Sequence, residues 1–111
     1  MKGDVVLIDF PFSQGGGSKV RPALVVQGNA VQSVNTIIAQ ITGNLARVGP
    51  PTRLFIDRAV EPGSGLKSNS VVMCDNLYTI HNTKIISKIG SLSAGAMIQI
   101  DNCLKCVHGI P

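Results

Sequence analysis

Charged side chains are scarce in this chain: Asp, Glu, Lys and Arg make up 14% of its 111 residues, against 44% hydrophobic. That balance excludes a disordered tail or a solvated charge block. Long apolar runs are missing too, none approaching the ~20 residues of a membrane-spanning helix. The opening Met1-Lys2-Gly3-Asp4 puts an acid where a signal peptide begins its apolar stretch, which predicts a cytoplasmic protein. Carboxylates number six and are scattered singly, with only Asp57, Glu61 and Asp75 mid-chain. Clustered-acid, metal-dependent hydrolysis is therefore not expected, nor is any metal or cofactor. The three cysteines are too few, and odd in number, for a disulfide framework. Cys103 and Cys106 have C-x-x-C spacing, yet no second Cys or His pair completes a zinc site, and His108 misses a haem-attachment motif by one residue. They read as small helix residues half-buried against a core. His81 and His108 fall in different elements, with no evident acid–base mate.

What remains is a basic, apolar chain. Ten Lys plus Arg give a net charge of +4 and a pI near 9.3. This balance suggests an anionic partner without separating an RNA binder from an ordinary basic domain. So large an apolar share on a small body predicts a buried homomeric or partner interface. The length sets a single domain spanning residues 1–111.

Residues 4–10 form a β-branched run that reads as a strand buried on both faces. A glycine-rich loop follows, and then a second strand over Arg21 to Gln27, where Pro22 is tolerated only near the strand start or at an edge. Residues 35–42 alternate, with Ile37, Ala39 and Ile41 on one side and Thr36, Ile38, Gln40 and Thr42 on the other. Further strands are predicted over Thr52 to Asp57, Ser70 to Ile80 and Lys88 to Leu92. The C-terminus changes period: Ser93 can cap a helix whose Met97, Ile100, Leu104 and Val107 make one apolar stripe, ended by Gly109 and Pro111. Many short strands and one terminal amphipathic helix predict a small curled antiparallel barrel or sheet with the helix packed on it. Gly15-Gly16-Gly17-Ser18-Lys19 does not fit G-x-x-x-x-G-K-S/T and precedes a strand, so a nucleotide-phosphate loop is not predicted.

Taken in order, the segments resemble the MazF/PemK family of toxin endoribonucleases. Gly3 to Phe10, a glycine-rich loop and Arg21-Pro22-Ala23-Leu24-Val25-Val26 are similar to the family's first strands. Ile38-Ala39-Gln40-Ile41-Thr42 resembles the next one. Ser70 to Ile80 is similar to its central strand, and Lys88-Ile89-Gly90-Ser91-Leu92-Ser93 to the lead-in to its terminal helix. The resemblance implies a mainly β, SH3-like barrel with a C-terminal helix, acting as a homodimer. It implies sequence-selective cleavage of single-stranded RNA without a metal, neutralisation by a cognate antitoxin, and DNA binding together with that antitoxin.

By the resemblance, Arg21 is the main catalytic residue and Thr42 the second. The chemistry agrees: a guanidinium matches a phosphate in a fork and keeps its charge, and a threonine hydroxyl donates well to a phosphoryl oxygen. Singly, Arg21 also fits a strand arginine pairing with Asp9 or Asp75, and Thr42 a β-favouring residue before a turn. In the family the loop before Arg21 closes over RNA, so Gly17, Ser18 and Lys19 are candidate phosphate contacts. Phe12 fits a base-stacking ring or a core plug equally. Asp75 and Asn76 are candidate base-edge readers. Tyr78 stands where many members carry arginine, exchanging a phosphate contact for a stacking surface, and Gln14 with glycines replaces the family's usual loop acid. The competing reading is a non-catalytic SH3-like module, or a toxin that binds a protein target such as DNA gyrase. A pure binder has no need of Arg21 with Thr42.

Overall fold

The computed structural model describes residues 1–10 and 19–111. Extended segments put alternate side chains on opposite faces, and here both faces are apolar. In strand β1 (Asp4–Phe10), Val5 joins one buried cluster while Val6, Ile8 and Phe10 join another. The β-branched run is thus covered on both sides. Strands β2 (Lys19–Val25), β3 (Asn35–Thr42), β4 (Arg53–Ile56), β5 (Ser70–His81) and β6 (Ile85–Ser91) follow, and helix α1 (Ala94–His108) closes the chain.

The six strands form one sheet in the order β4-β5-β3-β2-β1-β6, every neighbouring pair antiparallel. Because β4 and β6 do not pair with each other, the expected barrel takes the form of an open sheet. One face carries Val5, Leu24, Ala39, Ile41, Ile56, Val72 and Cys74, which pack against Ala96, Ile100 and Cys103 of α1. The opposite face carries Val6, Ile8, Phe10, Ala23, Val25, Ile38 and Ile80.

Two strands are displaced from their expected bounds. β2 starts at Lys19 because Lys19 and Val20 pair with Phe10 and Asp9 of β1, a cross-strand reward that no local apolar pattern signals. β6 starts at Ile85 for the same reason, pairing there with Ile8. Pro22 lies in the interior of β2, but β2–β3 pairing begins only at Ala23, so the missing N–H costs no bond on that side.

The helix begins where Ser93 Oγ accepts the Ala96 N–H at 3.2 Å. Glu61, the chain's only glutamate, is buried beneath it and accepts from the Ser93 N–H at 2.7 Å and the Ser93 hydroxyl at 2.8 Å. Gly109, at φ +67°, ends the helix in the left-handed region. Met97, Leu104 and Val107 lie partly buried along the inward stripe with Ile100. Among the described residues no helix is long and apolar enough to cross a membrane.

Candidate active site

The sheet face turned away from α1 gathers most of the polar residues that the sequence singles out. On β3, Ala39 and Ile41 face the helix side, so Ile38, Gln40 and Thr42 face the other. On β2, Ala23 and Val25 lie on that same far face, and with them by alternation Lys19 and Arg21. The β2–β3 register sets Ala23 against Gln40, where the pairing ends; Arg21 and Thr42 each lie two residues further along their strands, on the same face. Thr42 in turn pairs with Val71 of β5, itself opposite Phe55 of β4. A second row runs from Ala23 through Gln40 and Met73 to Arg53.

Arg21 is exposed, sits across from Ile8 of β1, and makes no ion pair among the described residues. Neither carboxylate weighed as its partner takes it. Asp75 is held by Arg53, and the buried Asp9 Oδ1 has no hydrogen-bond partner among the described residues. The guanidinium is left open to solvent and to any anion on this face. Thr42 is half-buried and accepts the Asn44 N–H at 3.1 Å, which orients its oxygen while the hydroxyl proton has no acceptor among the described residues. Lys19 stands across from Phe10 at the mouth of the same face.

β5 supplies the remaining groups through a bulge. Its register with β3 jumps from Ala39–Leu77 to Gln40–Met73, which leaves Cys74, Asp75 and Asn76 without opposite residues. Such a bulge re-aims side chains. Cys74 turns into the helix-side core, where burial, reinforced by the neighbouring Cys103, pushes its thiol up to about 12. Asp75 and Asn76 turn to the far face. Arg53 Nε donates to Asp75 Oδ1 at 3.1 Å and Oδ2 at 3.2 Å, and Arg53 Nη1 donates to the Arg47 carbonyl at 2.9 Å. Those bonds hold the Asp75 carboxyl below the usual carboxylate range, against a smaller opposing effect of burial. Asn76 Nδ2 donates to Gln40 Oε1. Tyr78, opposite Ile38, meets the edge of Phe10 with ring centroids 5.2 Å apart at 88°.

The fold therefore brings Arg21, Thr42, Lys19, Asp75, Asn76 and Tyr78 to one face. Phe12, Gly17 and Ser18 lie outside the described residues. Sequence reasoning missed Gln40 and Arg53, whose roles depend on partners 36 and 22 residues away. Gln40 was legible as a polar residue on the outward side of its strand, whereas nothing local distinguished Arg53. Chemically, the face offers a fixed positive charge beside a hydroxyl donor, flanked by hydrogen-bonding amides and an aromatic ring. Among the described residues no group of three or more His, Cys, Asp or Glu is placed to hold a metal ion.

Comparison with known proteins adds an independent line. A family model described as PemK-like, MazF-like toxin of type II toxin-antitoxin system matches residues 1–108. Endoribonuclease MazF of Staphylococcus epidermidis is 30% identical over 114 residues, spanning 98% of this chain and 91% of that protein. Among solved structures, an endoribonuclease in complex with its cognate antitoxin from a mycobacterial species aligns with a TM-score of 0.80 at 21% identity, over 100% of this chain and 96% of that one. The Mycobacterium tuberculosis toxin MazF-mt6 aligns with a TM-score of 0.76 at 25% identity, over 97% and 98%.

Proposed function

Because this chain belongs to the PemK-like, MazF-like toxins of type II toxin–antitoxin systems, we propose that it is a sequence-selective endoribonuclease that cuts single-stranded RNA without a metal, using Arg21 and Thr42. The observation that supports this reading is that Arg21, exposed and without an ion pair among the described residues, lies on the same sheet face as Thr42, each two residues beyond the paired Ala23 and Gln40. The ribose 2'-hydroxyl gives up its proton and attacks the adjacent phosphorus. The bond from phosphorus to the 5'-oxygen breaks, and that oxygen takes up a proton. The products are a 2',3'-cyclic phosphate and a 5'-hydroxyl.

Charge builds on the non-bridging oxygens along this path. The Arg21 fork meets two of them, and donors aimed at developing charge are the strongest single aid to such a reaction. Thr42 adds a neutral donor from the other side. In this reading Arg21 acts through its charge and its forked hydrogen bonds. Lys19 guides the strand into the cleft, and Tyr78 offers a ring to an unstacked base. The functional unit in this reading is a homodimer, and a cognate antitoxin with an acidic segment occupies the basic face to silence it.

Cleavage of a long defined RNA in EDTA, followed by mapping of the ends, tests the proposal. The wild type should yield discrete fragments with cyclic-phosphate ends, and Arg21→Ala should slow their appearance by roughly 100- to 1,000-fold or more while remaining folded. Full cleavage by the variant, or loss of wild-type cleavage in EDTA, would overturn the mechanism. RNA bound but left intact would favour the non-catalytic binding module.

A further inference from the structure

We propose that Cys74, Cys103 and Cys106 form a peroxide-driven thiol relay that ends in a disulfide between Cys74 and Cys103, tying the β5 bulge to α1. Three observations link the sulfurs. Cys74 and Cys103 both lie in the buried cluster between the sheet and the helix, the first fully covered and the second nearly so. Their thiols share a hydrogen bond in which Cys74 is the donor. Cys106, one turn further along α1, is exposed and near enough for its charge to act on Cys103. Residues three apart on a helix stand about 5 Å apart at Cα, within the span that a disulfide bridges. The C-x-x-C pair thus gains a third cysteine from β5. Among the described residues no group of three or more His, Cys, Asp or Glu is placed to hold a metal ion, so the cluster suits sulfur–sulfur chemistry one pair at a time.

Burial dictates the order of events. A thiolate, not a thiol, attacks a peroxide, and susceptibility follows exposure. Cys74 is out of a peroxide's reach, and burial pushes its thiol up to about 12. Burial raises the Cys103 thiol as well. Cys106 is therefore the entry point. Its sulfur attacks hydrogen peroxide: an S–O bond forms, the O–O bond breaks, and the leaving hydroxide becomes water with the proton the thiol gave up. Cys106 is thereby oxidised to a sulfenic acid and the peroxide reduced. The Cys103 sulfur then attacks the Cys106 sulfur; the S–S bond forms, the S–O bond breaks, and the hydroxyl departs as water with the Cys103 proton. Cys74 next attacks the Cys103 sulfur, and Cys106 leaves and takes up the Cys74 proton. The sum is two thiols and one peroxide giving one disulfide and two waters.

The destination matters because of where Cys74 sits. It opens the bulge, and the next two residues, Asp75 and Asn76, turn to the candidate face, where they bond Arg53 and Gln40. A disulfide is about 2 Å long, shorter than any contact between unbonded sulfurs, so closing it draws the bulge toward α1. Interiors are close-packed, so a shift on one side of the sheet is passed to the other rather than absorbed. A dithiol reductant reverses the bond by exchange. The disulfide chemistry stands apart from the RNA-cleaving reading, and only the expected loss of cutting rate rests on it.

The test adds stoichiometric hydrogen peroxide to the whole protein and maps its disulfides by peptide mass spectrometry under non-reducing conditions. The wild type should show the Cys74–Cys103 bond with Cys106 free, and dithiothreitol should remove it. Cys106→Ser, at an exposed position, should slow formation of that bond by about tenfold or more, since it closes the entry point. Cys74→Ala should stop the relay at a Cys103–Cys106 bond. Should that buried substitution fail to fold, dimedone capture of the Cys106 sulfenic acid at short times in the wild type reads the same order of events. Absence of a Cys74–Cys103 bond, a bond between Cys106 of two chains, or a bond that forms as fast in Cys106→Ser would overturn the proposal. The oxidised wild type should also cut RNA several-fold more slowly until reduced; an unchanged rate would show that the bond does not reach the candidate face. If no RNA is cut in either state, the nuclease reading fails while the disulfide map still decides the relay.

Discussion

Arg53 draws its role from two contacts, Asp75 and the Arg47 carbonyl, that lie 22 and six residues away in the chain. It holds Asp75 on the candidate face and ties the segment before β4 to the sheet. The sign of its pH effect follows from the lowered Asp75 carboxyl. A carboxylate depressed in the folded state contributes stability above its unfolded pKa and loses it as pH falls through the folded value. The pair is partly exposed, with about a third of each side chain accessible, so the contribution is small, roughly 0–1 kcal/mol. Arg53→Ala should return the Asp75 titration toward the ordinary carboxylate range, read by NMR of its carboxyl carbon. An unchanged titration would show that Arg53 does not govern that group. Arg21, Thr42 and Lys19 stood out as candidates because their residue types suit a phosphate and their order matches a family. Gln40 showed only as an outward polar residue and Arg53 not at all, since a polar strand residue takes its meaning from the residue across from it.

At the scale of elements, the start of α1 depends on a residue outside it. Ser93 caps the helix, and the buried Glu61 binds both the backbone and the hydroxyl of that cap. Hydrogen bonds to a charged acceptor are worth more than neutral ones, and cutting them strands two donors. Glu61→Ala should lower stability by about 2 kcal/mol, measured by urea unfolding, with Glu61→Gln costing less. A variant as stable as the wild type would mean that the cap stands on Ser93 alone. The Ser93 cap, the apolar stripe and the Gly109 stop are local signals, which is why the helix was readable in advance. Gly90 was not. It sits on β6 so close to the turn at Pro62–Ser64, which precedes β5, that a Cβ would lie 2.3 Å from the Gly63 carbonyl oxygen. The β5 bulge was equally hidden, for a register shift leaves the apolar alternation on either side of it intact.

For the whole molecule, charge and shape act together. A net charge of +4 is modest, but Lys19 and Arg21 share one open face. RNA binding should therefore weaken as salt rises, with log affinity falling by about 0.7 per phosphate contacted for each tenfold rise in salt on a single strand. Arg21→Ala should reduce that slope by roughly 0.7, measured by anisotropy across a salt series. A slope that does not change would place the RNA elsewhere on the protein.

The division between chain and fold has a physical basis. Hydrophobic period, capping residues and turn-formers act over a few neighbours, so the order of strands and helix, the two-sided burial of β1 and the bounds of β3 were determined by sequence alone. Residue order also carried the family resemblance. Strand pairing acts between segments tens of residues apart, and its register comes from burial on both faces at once. Only the tertiary structure could therefore decide that Arg21 and Thr42 share one face, that Asp75 belongs to Arg53, and that a bulge delivers Asn76 to Gln40.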